Sequence, residues 1–115
     1  MGKNIIVAGL GHGGIVAAAL LSEKGYNVTV YEKGSEGTLG HDWTDMFDPK
    51  ALDFAGLPMP PVDMFKYKED MTFFAPTCKK GLRQHVPQEQ LEIKMERIDI
   101  YEHLINHALS KGVKI

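Results

Sequence analysis

The run Gly9-Leu10-Gly11-His12-Gly13-Gly14 constrains this chain more than any other feature. It follows the short β-branched stretch Asn4-Ile5-Ile6-Val7-Ala8, which suits a strand buried on both faces of a parallel sheet. From about Gly13 to Lys24 the spacing of Ile15, Ala18, Ala19 and Leu21 is helical, and Gly25 can take the left-handed position beyond the helix end. Asn27-Val28-Thr29-Val30-Tyr31 then reads as a second strand. Strand, glycine turn, helix, glycine and strand complete a βαβ unit.

A helix N-terminus offers unpaired backbone N–H groups and about half a positive charge, so it attracts a pyrophosphate. Side chains would block that approach, which accounts for the glycines. Gly9 makes the tight turn off the strand, Gly11 lets the backbone near the phosphates, and Gly14 lets the helix lie close to the sheet. Glu32 stands eighteen residues after Gly14, at the end of the second strand. There its carboxylate can accept the hydrogens of two ribose hydroxyls and would repel a 2′-phosphate. Lys33 beside it could temper that repulsion. The bland alternative is a glycine-rich turn of structural origin alone.

Size and composition narrow the classes. At 115 residues the chain is one domain at most, with little room for a substrate layer. A formal net charge of −2 and scattered cations predict no capture of nucleic acid or an anionic membrane. The apolar start is too short for a signal peptide or a membrane span. Cys78 is the only cysteine, which fits a reducing cytoplasm and gives no disulfide.

Residues 34–63 are rich in Gly and Pro and read as an ordered, folded-over loop. One short helix is expected at Pro49–Phe54, capped by Asp48 with Pro49 at its first position. Strand-like pieces return at 71–75, 82–86 and 91–95, the last two alternating as half-exposed antiparallel strands do. Lys79-Lys80-Gly81 is a plausible turn between the first two. Asp99 to Lys111 has helical spacing at Ile100, Leu104, Ala108 and Leu109, with Gly112 ending it and Val113-Lys114-Ile115 opening a further strand.

Other residues carry two readings each. His41 and Asp42, with Trp43 and Asp45, could touch a cofactor or substrate, or be loop polar groups with Asp42 or Asp45 capping a turn. His103 and His107 have a metal-compatible spacing, but no third ligand stands beside them and a solvated helix edge explains them. Cys78 next to Lys79-Lys80 could be a reactive thiol or incidental. Arg97 could meet a cofactor phosphate, or pair with Glu32 or Asp99. No catalytic residue and no metal site can be named.

The stretches Ile6–Gly14, Ala18, Leu21 and Gly25, and Val28-Thr29-Val30-Tyr31-Glu32-Lys33 resemble FAD-dependent oxidoreductases with a glutathione-reductase-type FAD domain. Within these, the chain is most similar to the geranylgeranyl reductase and flavoprotein hydroxylase groups. Arg97-Ile98-Asp99-Ile100-Tyr101-Glu102-His103-Leu104, with Ala108 and Gly112, is a second match. The two together cover roughly half the chain. His12 and Gly13 depart from the family's usual pair of small residues. The loop after Glu32, here Gly37-Thr38-Leu39-Gly40-His41-Asp42, is less glycine-rich than is usual.

The resemblance implies an α/β fold in three layers: a Rossmann-like parallel sheet beginning with the βαβ unit, an inserted antiparallel β element, and an incomplete flavoprotein fold overall. It divides the chain into a dinucleotide motif at 1–33, a cofactor loop region at 34–70, a β-rich insertion at 71–97 and a helix with the start of a strand at 98–115. It implies that Gly9, Gly11, Gly14 and Glu32 hold the ADP half of FAD. His12, Gly13, Lys33, Gly40, His41 and Arg97 are further candidates near the cofactor. The family's Gly-Asp motif for the flavin ribityl chain has no counterpart here. The expectation is therefore the N-terminal segment of a longer flavoprotein, inactive alone, with the remainder of a split or truncated enzyme as its partner. An NAD-binding dehydrogenase domain and a non-catalytic adenine-dinucleotide-binding module are the rivals; the oligomeric state, substrate and electron donor are not legible.

Overall fold

The computed structural model describes residues 2–115. Strand β1 (Asn4–Ala8), helix α1 (His12–Glu23) and strand β2 (Asn27–Tyr31) form the expected βαβ unit, with β1 and β2 parallel and Ile6 opposite Thr29. Gly25, at φ 87°, turns the chain out of α1, because that left-handed conformation is strained for any residue with a Cβ. Lys114 extends the sheet on the free edge of β2. The amide of Val30 donates to its carbonyl at 2.7 Å, and its own amide donates to Val28 at 3.0 Å.

Next in the chain come β3 (Thr44–Phe47), α2 (Lys50–Phe54), β4 (Phe65–Tyr67), β5 (Met71–Phe74), β6 (Gly81–Gln84), a 3₁₀ turn (Gln88–Gln90), β7 (Ile93–Glu96) and α3 (Arg97–Ser110). Strand β7 is central in a three-stranded antiparallel sheet, flanked by β3 and β4. Strands β5 and β6 form a separate ribbon, with Phe73 opposite Leu82. Asp48 caps α2 through its side chain, which accepts from the Lys50 amide at 2.9 Å, and Pro49 already has helical angles.

Packing follows the small residues. Ala18 of α1 and Ala108 of α3 are both fully buried, and the two helices press together there. Ile15, Val28, Val30, Ile93, Met95, Ile100 and Leu104 complete the centre of the core. The paired strands bond through their ladders, and no buried polar side chain lacks a partner among the described residues.

Several expectations are corrected. Strand β1 is covered on one face only: Ile5 and Val7 meet the core while Ile6 is 70% exposed. On β2, Val28 and Val30 point inward and Tyr31 outward. Among the described residues the parallel sheet thus has α1 packed on one side, while Ile6 and Tyr31 on the other side lie open. Residues 34–63 include a strand, β3, that its Gly and Pro neighbours obscured. Strand β6 is exposed along its whole length rather than half-buried, since the β5–β6 ribbon pairs only with itself. The turn of that ribbon comes before Gly81, which already pairs with Phe74, and Cys78 takes the left-handed conformation at φ 54°. Leu109 is half exposed rather than part of the core stripe.

Two substitutions test this packing. Ile93→Ala, at a position with no solvent exposure, should cost about 2–5 kcal/mol in chemical denaturation through the cavity it leaves. Gly14→Ala should cost about 1–3 kcal/mol, because the added carbon would fall on the backbone oxygen of Gly9. A Gly14→Ala protein as stable as the parent would mean that α1 does not approach the β1 turn this closely.

Candidate functional site

Gly9 leaves β1 at φ 100°, and its amide donates to the carbonyl of Tyr31 at 2.7 Å, which joins the turn to the end of β2. Gly11 is extended and precedes the helix; its carbonyl accepts the first helical bond, from Ile15 at 2.9 Å. Among the described residues, none accepts from the amides of Gly11, His12, Gly13 and Gly14. No side chain caps α1, and its first turn holds no acid. The positive end of the helix is therefore unsatisfied by the protein itself.

The glycines serve different ends. A side chain at Gly14 would strike Gly9's carbonyl, so this residue sets how closely helix and turn approach. At Gly11 and Gly13 an added carbon would meet nothing. Glycine there answers no internal crowding; it keeps the outer side of the turn bare.

Glu32 is placed at the end of β2 beside this turn. One carboxylate oxygen accepts the Leu10 amide at 2.7 Å and the other accepts the Gly34 amide at 2.8 Å. The Leu10 bond foremost, then that of Gly34, holds the carboxyl below the ordinary carboxylate range. The sequence assigned Glu32 to a ribose alone; the fold also gives it the task of tying the glycine turn to the loop after β2. Each oxygen keeps a second lone pair. The adjoining groove, of about 500 Å³, is lined by Leu10, Glu32, Gly34, Gly37, Leu39 and Ile105 among others.

A second cluster lies where α3 begins. Arg97 is its first residue and grips Asp45 of β3 with two parallel bonds, Nε to Oδ2 at 2.8 Å and Nη2 to Oδ1 at 2.7 Å. The partner is therefore neither Glu32 nor Asp99, and Asp45 caps no turn. The guanidinium holds the Asp45 carboxyl below its usual range, and the carboxylate raises Arg97 in return. The Arg97 amide donates to Trp43's carbonyl at 2.8 Å. Gly40, at φ 81°, packs on the Arg97 stem and the Tyr101 ring, where a side chain would have no room. A smaller cavity of about 280 Å³ opens here, with His41, Asp42 and Arg97 in its wall.

The fold thus brings the sequence-named residues into two groups. Gly9, Gly11, Gly13, Gly14 and Glu32 form one; Gly40, His41 and Arg97 form the other. His12 joins them, its ring lying 4.7 Å from that of Tyr101. Lys33 stays exposed beside Glu32. Asp45 as Arg97's partner and Tyr101 as His12's could not be read from spacing, since each contact spans distant segments. Elsewhere, His103 bonds to the carbonyl of Pro58 at 2.8 Å, and Cys78 is an exposed free thiol. No helix among the described residues is long and apolar enough to cross a membrane.

Residues 7–50 match the family model described as an NAD(P)-binding Rossmann-like domain. No curated protein sequence matches the chain. Among solved structures, it is similar to a geranylgeranyl bacteriochlorophyll reductase-like protein from Thermoplasma acidophilum, with a TM-score of 0.75 and 18% identity over 99% of this chain and 30% of that one. It is also similar to the tetrameric form of 2-methyl-3-hydroxypyridine-5-carboxylic acid oxygenase, with a TM-score of 0.72 and 22% identity over 99% of this chain and 31% of that one. PqsL, described as a probable FAD-dependent monooxygenase from Pseudomonas aeruginosa, aligns with a TM-score of 0.68 and 18% identity, over 97% of this chain and 31% of its own. The chain spans about a third of the length of these proteins. The fold that the sequence resemblance implied is shared with these neighbours over nearly the whole of this chain.

Proposed function

We propose that this chain binds the ADP half of FAD and forms the nucleotide-binding part of a flavin-dependent oxidoreductase. The observation that carries this reading is the set of unpaired amides from Gly11 to Gly14, joined through the Leu10–Glu32 bond to a groove of about 500 Å³ that Leu10 and Glu32 line. The amides would take the diphosphate and Glu32 the adenosine ribose, with Gly9 and Gly14 setting the turn. Arg97, Gly40 and His41 would stand farther along the dinucleotide, and Lys33 at the solvent edge.

A bound flavin would supply hydride transfer; this chain's residues would bind and orient it. The substrate would meet the flavin in further polypeptide of the kind that makes up the remaining length of the similar structures. The bare face of Ile6 and Tyr31 supports such a covering.

The description of the matched family model favours a second reading, an NAD-binding domain. The chain after β2 argues for FAD: it passes into the β3–β7–β4 antiparallel sheet instead of a helix leading directly to a third parallel strand.

Calorimetric titration with FAD, NAD and ADP-ribose separates the readings. The expected order has FAD tightest, with ADP-ribose competing for the same site. NAD binding tighter than FAD would transfer the assignment to the second reading, and no binding by any of the three would remove both. Glu32→Gln should weaken ADP-ribose about tenfold, because glutamine replaces one of the two acceptor oxygens with an amide NH2 that can only donate. Unchanged affinity in that variant would take Glu32 out of the site.

A further inference from the structure

His12 is the first residue of α1, among the four amides that have no protein acceptor. Its ring lies on Tyr101, with the planes inclined by 41°. Tyr101 is one helical turn beyond Arg97 on α3, and Gly40 closes over both. The imidazole is therefore held where the bare glycine turn meets the Arg97–Asp45 pair. The ring packs on Tyr101, a contact that any flat ring could make, and it caps no helix end, since α1 has no side-chain cap among the described residues.

The charged and titratable groups facing His12 are Arg97 and Tyr101 from α3 and Asp45 from β3, together with the positive end of its own helix. Asp45 is engaged by Arg97 through both oxygens. Partial desolvation of the ring against Tyr101 first, and Arg97 second, hold His12 below the ordinary imidazole value, while the residue as a whole stays open to solvent.

We propose, resting on the nucleotide reading above, that His12 is a proton-linked element of the anion-binding turn: a bound diphosphate draws a proton onto its imidazole, and dinucleotide affinity tightens on acidification. The sign follows from linkage. Well above the titration of the complex, the ring is neutral with and without ligand, and binding is weakest. Below the titration of the free protein it is charged in both, and binding is tightest. Between these limits each bound ligand takes up as much as one proton. Glu32 and Asp45 both titrate below their ordinary carboxylate values, outside this window.

The probe is ADP-ribose, whose phosphates are diesters and do not titrate between about pH 5 and 8, as a terminal phosphate does. Calorimetry on the full chain should find binding about three- to tenfold tighter at about pH 5.5 than at pH 8. His12→Asn should still bind, with that slope abolished. NMR of the wild-type imidazoles gives a readout that needs no variant: the His12 midpoint should move upward when ADP-ribose saturates the protein. A flat wild-type profile, a slope that survives His12→Asn, or a midpoint that stays put would each overturn the proposal and leave the nucleotide reading intact. Absence of binding at every pH would overturn both.

Discussion

The close passage of α1 across the end of β1 is the constraint on which the other features rest. Only a hydrogen fits at Gly14, where the helix backbone meets Gly9's carbonyl. The same helix continues inward through Ile15, Ala18 and Ala19, so a displaced first turn would also open the core. Core packing thereby aims the unsatisfied end of α1 at a defined place beside β2. The unsatisfied amides are held by burial at the far side of the helix and by the Gly9–Tyr31 and Leu10–Glu32 bonds of the turn.

Two carboxylates then organise the surroundings, each from a different part of the chain. Glu32 bonds Leu10 on one side and Gly34 on the other, so the glycine turn and the loop after β2 move together. Asp45 anchors Arg97, and through it the start of α3 is fastened to β3. The first carboxylate faces amides and the second a guanidinium, which is why both remain ionised in a partly shielded setting. His12 and Tyr101 bridge the two arrangements. A dinucleotide lying across this surface would meet the helix end, then a titratable ring, then a matched ion pair.

Much of this was legible in advance because it is local. The spacing of Ile15, Ala18 and Ala19 marks the buried stripe of α1, and Ile100, Leu104 and Ala108 mark that of α3. Gly9 and Gly14 could be assigned to turn and approach because their roles involve neighbours within a few residues. Strand β3 escaped notice for the opposite reason. One of its two inward positions, beside the core-packed Phe47, is an acid, Asp45, which reads as a loop residue until Arg97, far along the sequence, arrives to neutralise it. Likewise β7 resembles a partner for β6, yet it pairs with β3 and β4; four-residue strands hold too little information to select a mate.

The sequence by itself determined the βαβ unit, the bare glycine turn at its bend and the acid at the end of β2. These depend on hydrophobic period, on backbone conformations open only to glycine, and on short separations along the chain. Tertiary structure alone decided that Glu32 is shared with the amides of Leu10 and Gly34, that Arg97 belongs to Asp45, and that among the described residues Ile6 and Tyr31 face outward from the parallel sheet. Those outcomes depend on which distant segments meet, and a charge or a lone pair takes whichever partner the packed core brings within reach.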